Sequence, residues 1–202
     1  MTPAPRWARW LVWNVIAHIV DGASRTLFNI RVDGAEHLPR TGPVVVAPNH
    51  VSYLDPMVVF TVLHRLGRRP RFLGVAAVFG QPVVGWVIRA AGFIPVHRDR
   101  PGSSPLAAAA AALAAGDAVV LYPEGTIPAP GVVADAKPGA GRLAVEHGVP
   151  VVPLRHAGLE RAARRGIRRP AHFRFGPAVL AGPDEDPEAV ADDVLARIRA
   201  LG

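Results

Sequence analysis

Three short apolar runs, Val44 to Ala47, Ala118 to Tyr122 and Val149 to Leu154, constrain the fold of this chain more than any other feature. Each is continuous rather than alternating. That pattern suits a strand buried on both faces, since a strand with one wet face alternates apolar and polar residues. Between them lie segments of helical spacing: Met57 to Leu66, stopped by Gly67-Arg68-Arg69-Pro70; Gln81 to Ala91; the alanine-rich Ser103 to Ala115, ended by Gly116; and Gly139 to His147. Pro187 to Leu201 reads as an amphipathic helix with Val190, Val194, Leu195 and Ile198 inward. Weaker strand signals occur at Arg71 to Val75, in the Gly92 to Arg100 stretch and at Ala171 to Phe175, while Arg31 to Pro43 reads as a strand remnant and turns. At 202 residues, half of them hydrophobic, the chain has material for one domain with a substantial core.

The chemistry concentrates at the ends of these strand runs. Just after the first comes Asn49-His50-Val51-Ser52-Tyr53-Leu54-Asp55. An imidazole takes a hydroxyl proton near neutral pH when a carboxylate holds its other ring nitrogen, so His50 and Asp55 are candidates for base and orienting acid. Residues five apart on a regular helix point about 140° away from each other, so a turn must bring this pair together. Asp55-Pro56 also reads as a helix start, with Asp as cap and Pro in the first turn, and Ser52 offers a rival capping register. The plainer alternative makes Asp55 only a cap and His50 only a loop residue. The second run delivers Pro123-Glu124-Gly125-Thr126, which places a carboxylate and a hydroxyl where open α/β sheets hold ligands. Glu124 is suited to bond a substrate hydroxyl there, and Gly125 lets the backbone approach it. Arg98, after Phe93 to Val96, is suited to bidentate recognition of a phosphate, the alternative being a surface pair with Asp99.

Residues Arg6 to Ile30 carry Trp7, Trp10 and Trp13 among aliphatics, interrupted by Asn14, His18 and Asp21. The apolar part is too short to span a bilayer, which takes about 20 apolar residues. It reads as an interfacial helix, with Arg6 and Arg9 near anionic lipid, or else as a helix packed on the protein's own core. The formal charge of +7 comes almost wholly from arginine, with Lys137 the only lysine. Arg161, Arg164, Arg165, Arg168 and Arg169 form its densest cluster, either a solvated loop or a membrane-facing patch. No nucleic-acid module accompanies that charge, so nucleic acid is not expected as a partner.

Other chemistries fit poorly. The absence of cysteine excludes disulfides, thiolate metal sites and a cysteine nucleophile. The eight histidines lack metal-ligand spacing, so no metal is expected, and no G-x-S-x-G stretch marks a serine hydrolase. Gly139 to Ala144 matches a dinucleotide fingerprint in letters, but the required preceding strand is replaced by a proline-rich loop.

Together these segments resemble the glycerophospholipid acyltransferases of the 1-acylglycerol-3-phosphate acyltransferase type. Four blocks in order carry the resemblance: Asn49-His50 to Asp55, Gly92 to Arg98, Tyr122 to Thr126, and Val149-Pro150-Val151-Val152-Pro153-Leu154. It implies an α/β fold, a single-domain central sheet, mostly parallel or mixed and flanked by helices, over residues 31–202. A membrane-associating helical segment would occupy residues 1–30. It further implies transfer of a fatty acyl group from acyl-CoA or acyl carrier protein to a lysophospholipid hydroxyl at the cytoplasmic face of a membrane, with no cofactor. His50 would be the general base and Asp55 its orienting acid. Arg98, Glu124, Gly125 and Thr126 would bind the acceptor, and backbone amides near the helix starting around Asp55 would meet the oxyanion. Two positions depart from the family pattern: Ile127-Pro128 where arginine often follows, and Gly74-Val75-Ala76 where a lysine is common. Lys137, Arg100 or Arg142 would then replace the lost cations, or the acceptor is another lysolipid. A relative that binds lipid without turnover is the reading from a different class.

Overall fold

The computed structural model describes residues 6–75, 79–96, 105–129, 134–160 and 168–202. Seven strands form one sheet in the order β1-β7-β6-β2-β5-β3-β4. They are β1 (Phe28–Asp33), β2 (Val44–Pro48), β3 (Pro70–Val75), β4 (Ile94–Val96), β5 (Ala118–Val120), β6 (Val151–Ala157) and β7 (Arg169–Phe175). Every neighbouring pair is parallel except β6 and β7. The expected mixed, mostly parallel sheet is therefore present. Among the described residues six α-helices accompany it: α1 (Arg6–Leu27), α2 (Asp55–Arg65), α3 (Pro82–Ala90), α4 (Pro105–Ala114), α5 (Gly139–His147) and α6 (Pro187–Ala200).

The continuous apolar runs occupy the middle of the sheet because both of its faces are covered. Along β2, Val44 and Val46 join the core that holds Val58, Phe60 and Leu63 of α2, while Val45 and Ala47 join the core that holds Leu143 of α5 and Val194 of α6. In β5 the same division puts Ala118 and Val120 on one side and Val119 on the other. Helix ends follow the sequence signals. Gly67 follows α2 at φ 78 and Gly148 ends α5 at φ 61, both left-handed conformations that favour glycine. Asp186 caps α6, its side chain accepting from the Glu188 N–H, and Val190, Val194, Leu195 and Ile198 of that helix are buried as expected.

The N-terminal segment differs from its reading in one boundary. The helix stops at Leu27, and Phe28 to Ile30 belong to β1, paired with β7. α1 also has two characters. One flank packs on the protein itself: Ile16 and Ala17 are buried, the Trp13 ring lies 4.9 Å from His64, and the Thr61 hydroxyl donates to Ser24 at 2.8 Å. The other flank leaves Val15 and Ile19 exposed. The side chains of Arg6, Trp7, Arg9 and Trp10 lie outside the described set, as do Arg161, Arg164 and Arg165. No described helix is long and apolar enough to cross a membrane.

Gly141 shows how tightly α5 meets α6. A Cβ placed there would stand 1.9 Å from the Pro187 carbonyl oxygen. Glycine at this position of the Gly139 to Ala144 stretch thus serves helix packing, and the residues described before the helix form no strand. Alanine in a helix interior ordinarily gains about 1 kcal/mol over glycine. Gly141→Ala is expected instead to lose about 1–3 kcal/mol through overpacking, measured by denaturant unfolding. A more stable variant would contradict the packing described.

Candidate active site

The carboxyl ends of β2, β5 and β6 converge, and each delivers polar groups to one place. Past Pro48 the chain leaves β2, and Asn49 is buried with its amide clasping the β6 backbone: Nδ2 donates to the His156 carbonyl at 3.0 Å and Oδ1 accepts the His156 N–H at 2.7 Å. This clasp fixes where the next residue begins. The His50 N–H donates to Glu124 Oε2 at 2.7 Å, and its ring stacks on Tyr122 at 4.2 Å between centroids. His50 Nδ1 meets Asp55 Oδ2 at 2.9 Å. With the Nδ1 proton directed at a carboxylate, the lone pair falls on Nε2, the tautomer a general base needs.

Asp55 does more than begin a helix. It is wholly buried in the first turn of α2, and its side chain turns back toward the motif. Oδ2 accepts the Val51 and Ser52 N–H groups at 2.7 and 2.8 Å as well as the His50 ring. The expected cap is corrected in detail: Leu54 occupies the cap position with no side-chain cap bond, and the Ser52 hydroxyl accepts only the Leu54 N–H, at 3.2 Å. The turn that spacing demanded is built on the acid itself. One consequence limits the oxyanion donors, because the amides of Val51 and Ser52 are already committed to Asp55.

Glu124 has a task the sequence did not suggest, one carboxylate oxygen anchoring the His50 backbone. Burial pushes its carboxyl above the usual range, and the His50 N–H bond opposes that shift. Gly125 sits at φ 70 in the exposed turn that follows, where a Cβ would meet Lys137 Cγ at 3.1 Å, and Thr126 is exposed beside it. The Lys137 N–H donates to the Pro123 carbonyl at 2.7 Å, so the only lysine is tied to this turn. Tyr122, half-buried beneath His50 with its hydroxyl inward, has its phenol pushed well above the usual range by desolvation and then by the Asp55 charge. It is a neutral wall.

His50, Asp55 and Glu124 are thus brought together, with Gly125 and Thr126 next to them. Arg98 and Arg100 lie outside the described residues. Among the described residues no cluster of His, Cys, Asp or Glu is arranged to hold a metal ion. Sequence reasoning missed Asn49, Tyr122 and His156. The signal for His156 was present, since it alternates with Val152 and Leu154 along a strand that runs three residues further than its apolar part.

The family model described as Acyltransferase matches residues 29–157. The chain belongs to that family. Among named relatives, the chloroplastic 1-acyl-sn-glycerol-3-phosphate acyltransferase LPAT1 of Arabidopsis thaliana is 34% identical over 130 residues, 63% of this chain and 35% of its own length. The 1-acyl-sn-glycerol-3-phosphate acyltransferase alpha of Ovis aries is 37% identical over 135 residues, covering 63% of this chain and 45% of that protein. The chain therefore matches well under two thirds of these relatives' lengths. The crystal structure of the 1-acyl-sn-glycerophosphate acyltransferase PlsC from Thermotoga maritima shares the fold, with a TM-score of 0.71 over all of this chain and 84% of that one at 23% identity.

The raised Glu124 carboxyl fixes the sign of a pH effect in this acyltransferase-family chain. A carboxyl whose folded pKa lies above its unfolded value binds more protons when folded, so its contribution to stability falls as pH rises from the ordinary carboxylate value of 4.5 through the raised one. Glu124→Gln carries no charge to desolvate. Its stability relative to the parent is expected to be more favourable at pH 7 than at pH 4, read from unfolding curves at both. A difference independent of pH would contradict the desolvated site.

Proposed function

We propose that this protein transfers a fatty acyl group from an acyl thioester, acyl-CoA or acyl-ACP (acyl carrier protein), to the free hydroxyl of a lysophospholipid. The acceptor we assign is 1-acylglycerol-3-phosphate, giving phosphatidic acid. The observation that carries this reading is the His50 Nδ1 to Asp55 Oδ2 bond of 2.9 Å, held in place by Glu124 on the His50 amide at 2.7 Å. In a chain of this family that arrangement is a base aimed at a hydroxyl.

The chemistry follows from the geometry. Nε2 of His50 takes the acceptor proton as the oxygen attacks the thioester carbonyl, and the buried Asp55 carboxylate stabilises the imidazolium that forms. The tetrahedral intermediate collapses by breaking the C–S bond. The imidazolium returns its proton to the departing thiolate, so atoms and charge balance with no covalent acyl-enzyme and no cofactor. On this reading Arg98 binds the acceptor phosphate, and Glu124, Gly125 and Thr126 line the acceptor side.

The substrates are lipids, and the exposed apolar surface supports action at a membrane, whose cytoplasmic face is the side we assign. Val15 and Ile19 on α1 and Trp86 on α3 are exposed, on helices that pack against each other. An exposed tryptophan suits the headgroup boundary, and the +7 charge favours anionic lipid.

Purified protein given either thioester with a panel of lysolipids is expected to release free thiol, fastest with 1-acylglycerol-3-phosphate. His50→Ala should lower that rate by about a hundredfold or more. Lipid binding with no thiol release from any pair would instead support a lipid-binding relative without turnover. Replacing Ile19 and Trp86 together by Asp is expected to reduce co-sedimentation with anionic vesicles. Unchanged sedimentation would remove the membrane surface from the account.

A further inference from the structure

Directly behind the acid of the pair lies a second imidazole. His156, near the end of β6, is buried, and its Nε2 stands 3.7 Å from Asp55 Oδ2. Neither of its ring nitrogens has a hydrogen-bond partner, and Asp55 Oδ1 has none either. Buried polar atoms are nearly always paired, and with the Tyr122 hydroxyl beside His50 this cluster holds four that are not, of which the His156 Nε2 faces the acid most directly.

The surroundings point to a directed contact. The His156 backbone is clasped by Asn49 at 3.0 and 2.7 Å, and its ring packs at 5.4 Å from Phe173, so the main chain is held without help from the ring nitrogens. Desolvation pushes the His156 pKa down, against the opposing pull of the Asp55 charge. A neutral imidazole has one N–H and one lone pair, and a lone pair facing a carboxylate would be repelled. At 3.7 Å the two atoms stand outside hydrogen-bond length, and catalytic contacts are often that long before substrate binds.

We propose that His156 is a positioning residue whose Nε2–H holds the Asp55 carboxylate in place while His50 gains and returns its proton. The inference rests on the acyl-transfer reading of the site. It makes the site a chain of two imidazoles with one acid between them. His50 is the only one of the two that touches the acceptor.

Two experiments test it independently. Long-range nitrogen-15 correlation spectra of the wild-type protein should show His156 neutral with the proton on Nε2. A proton on Nδ1 would overturn the proposal, and this result stands whether or not acyl transfer is observed. In the thiol-release assay, His156→Leu, which keeps bulk and removes the donor, should lower kcat by about tenfold to a hundredfold, the loss of one hydrogen bond to a charged group. KM for both substrates should stay within about twofold. His156→Gln, which can donate, should recover part of kcat. A folded His156→Leu protein with wild-type kcat, or Leu and Gln variants equally slow, would overturn the donor role. Failure of wild-type protein to release thiol from any pair would fall on the proposed function and leave the tautomer result to decide this one.

Discussion

A carboxylate with no exposed surface needs donors, and the Asp55 side chain organises the site by needing them. Removing such a charge from water costs several kcal/mol unless protein groups replace the lost hydration. Two backbone amides and one ring nitrogen do so, all on Oδ2. Satisfying the acid therefore folds the chain from His50 to Ser52 around it, and the imidazole's orientation is a result of that folding.

The sheet supplies the rest through its topology. β2 is central, with β6 on one side and β5 on the other, all three parallel. Their carboxyl ends therefore lie side by side, and residues distant in sequence become neighbours: Asn49 on the His156 backbone, His50 on Glu124 and Tyr122. Ligand sites of open α/β sheets fall at such edges for this reason. On one face of these strands α5 and α6 pack closely on each other, as at Gly141 under Pro187.

Much of this was legible before folding. Unbroken runs such as Val44 to Ala47 announced strands buried on both sides, and Gly67 and Gly148 stand where the helices α2 and α5 end. The five-residue spacing of His50 and Asp55 required a turn, and one is there. What sequence could not supply was how side chains are shared. Asp55 read as the acid beside His50 and also as a helix cap; its carboxylate meets the imidazole and, instead of capping, takes the amides of the loop behind it. Glu124 read as a substrate ligand, and its bond to the His50 backbone follows from a strand pairing that no local pattern encodes. His156 reads as structural or solvated because no ligand spacing marks it, and its place behind Asp55 follows from β6 continuing its alternation past the apolar stretch that ends at Leu154. α1 read as interfacial or core-packed, and it has a flank of each kind because helical periodicity reports faces without saying what covers them.

The account depends on the acid at position 55 holding His50 in one tautomer. Asp55→Asn preserves shape while replacing an acceptor of three bonds with an amide. By the behaviour of comparable base and acid pairs, kcat for acyl transfer should fall by about a thousandfold or more with the protein still folded. A folded Asp55→Asn protein that kept kcat within a few fold of the parent would contradict it.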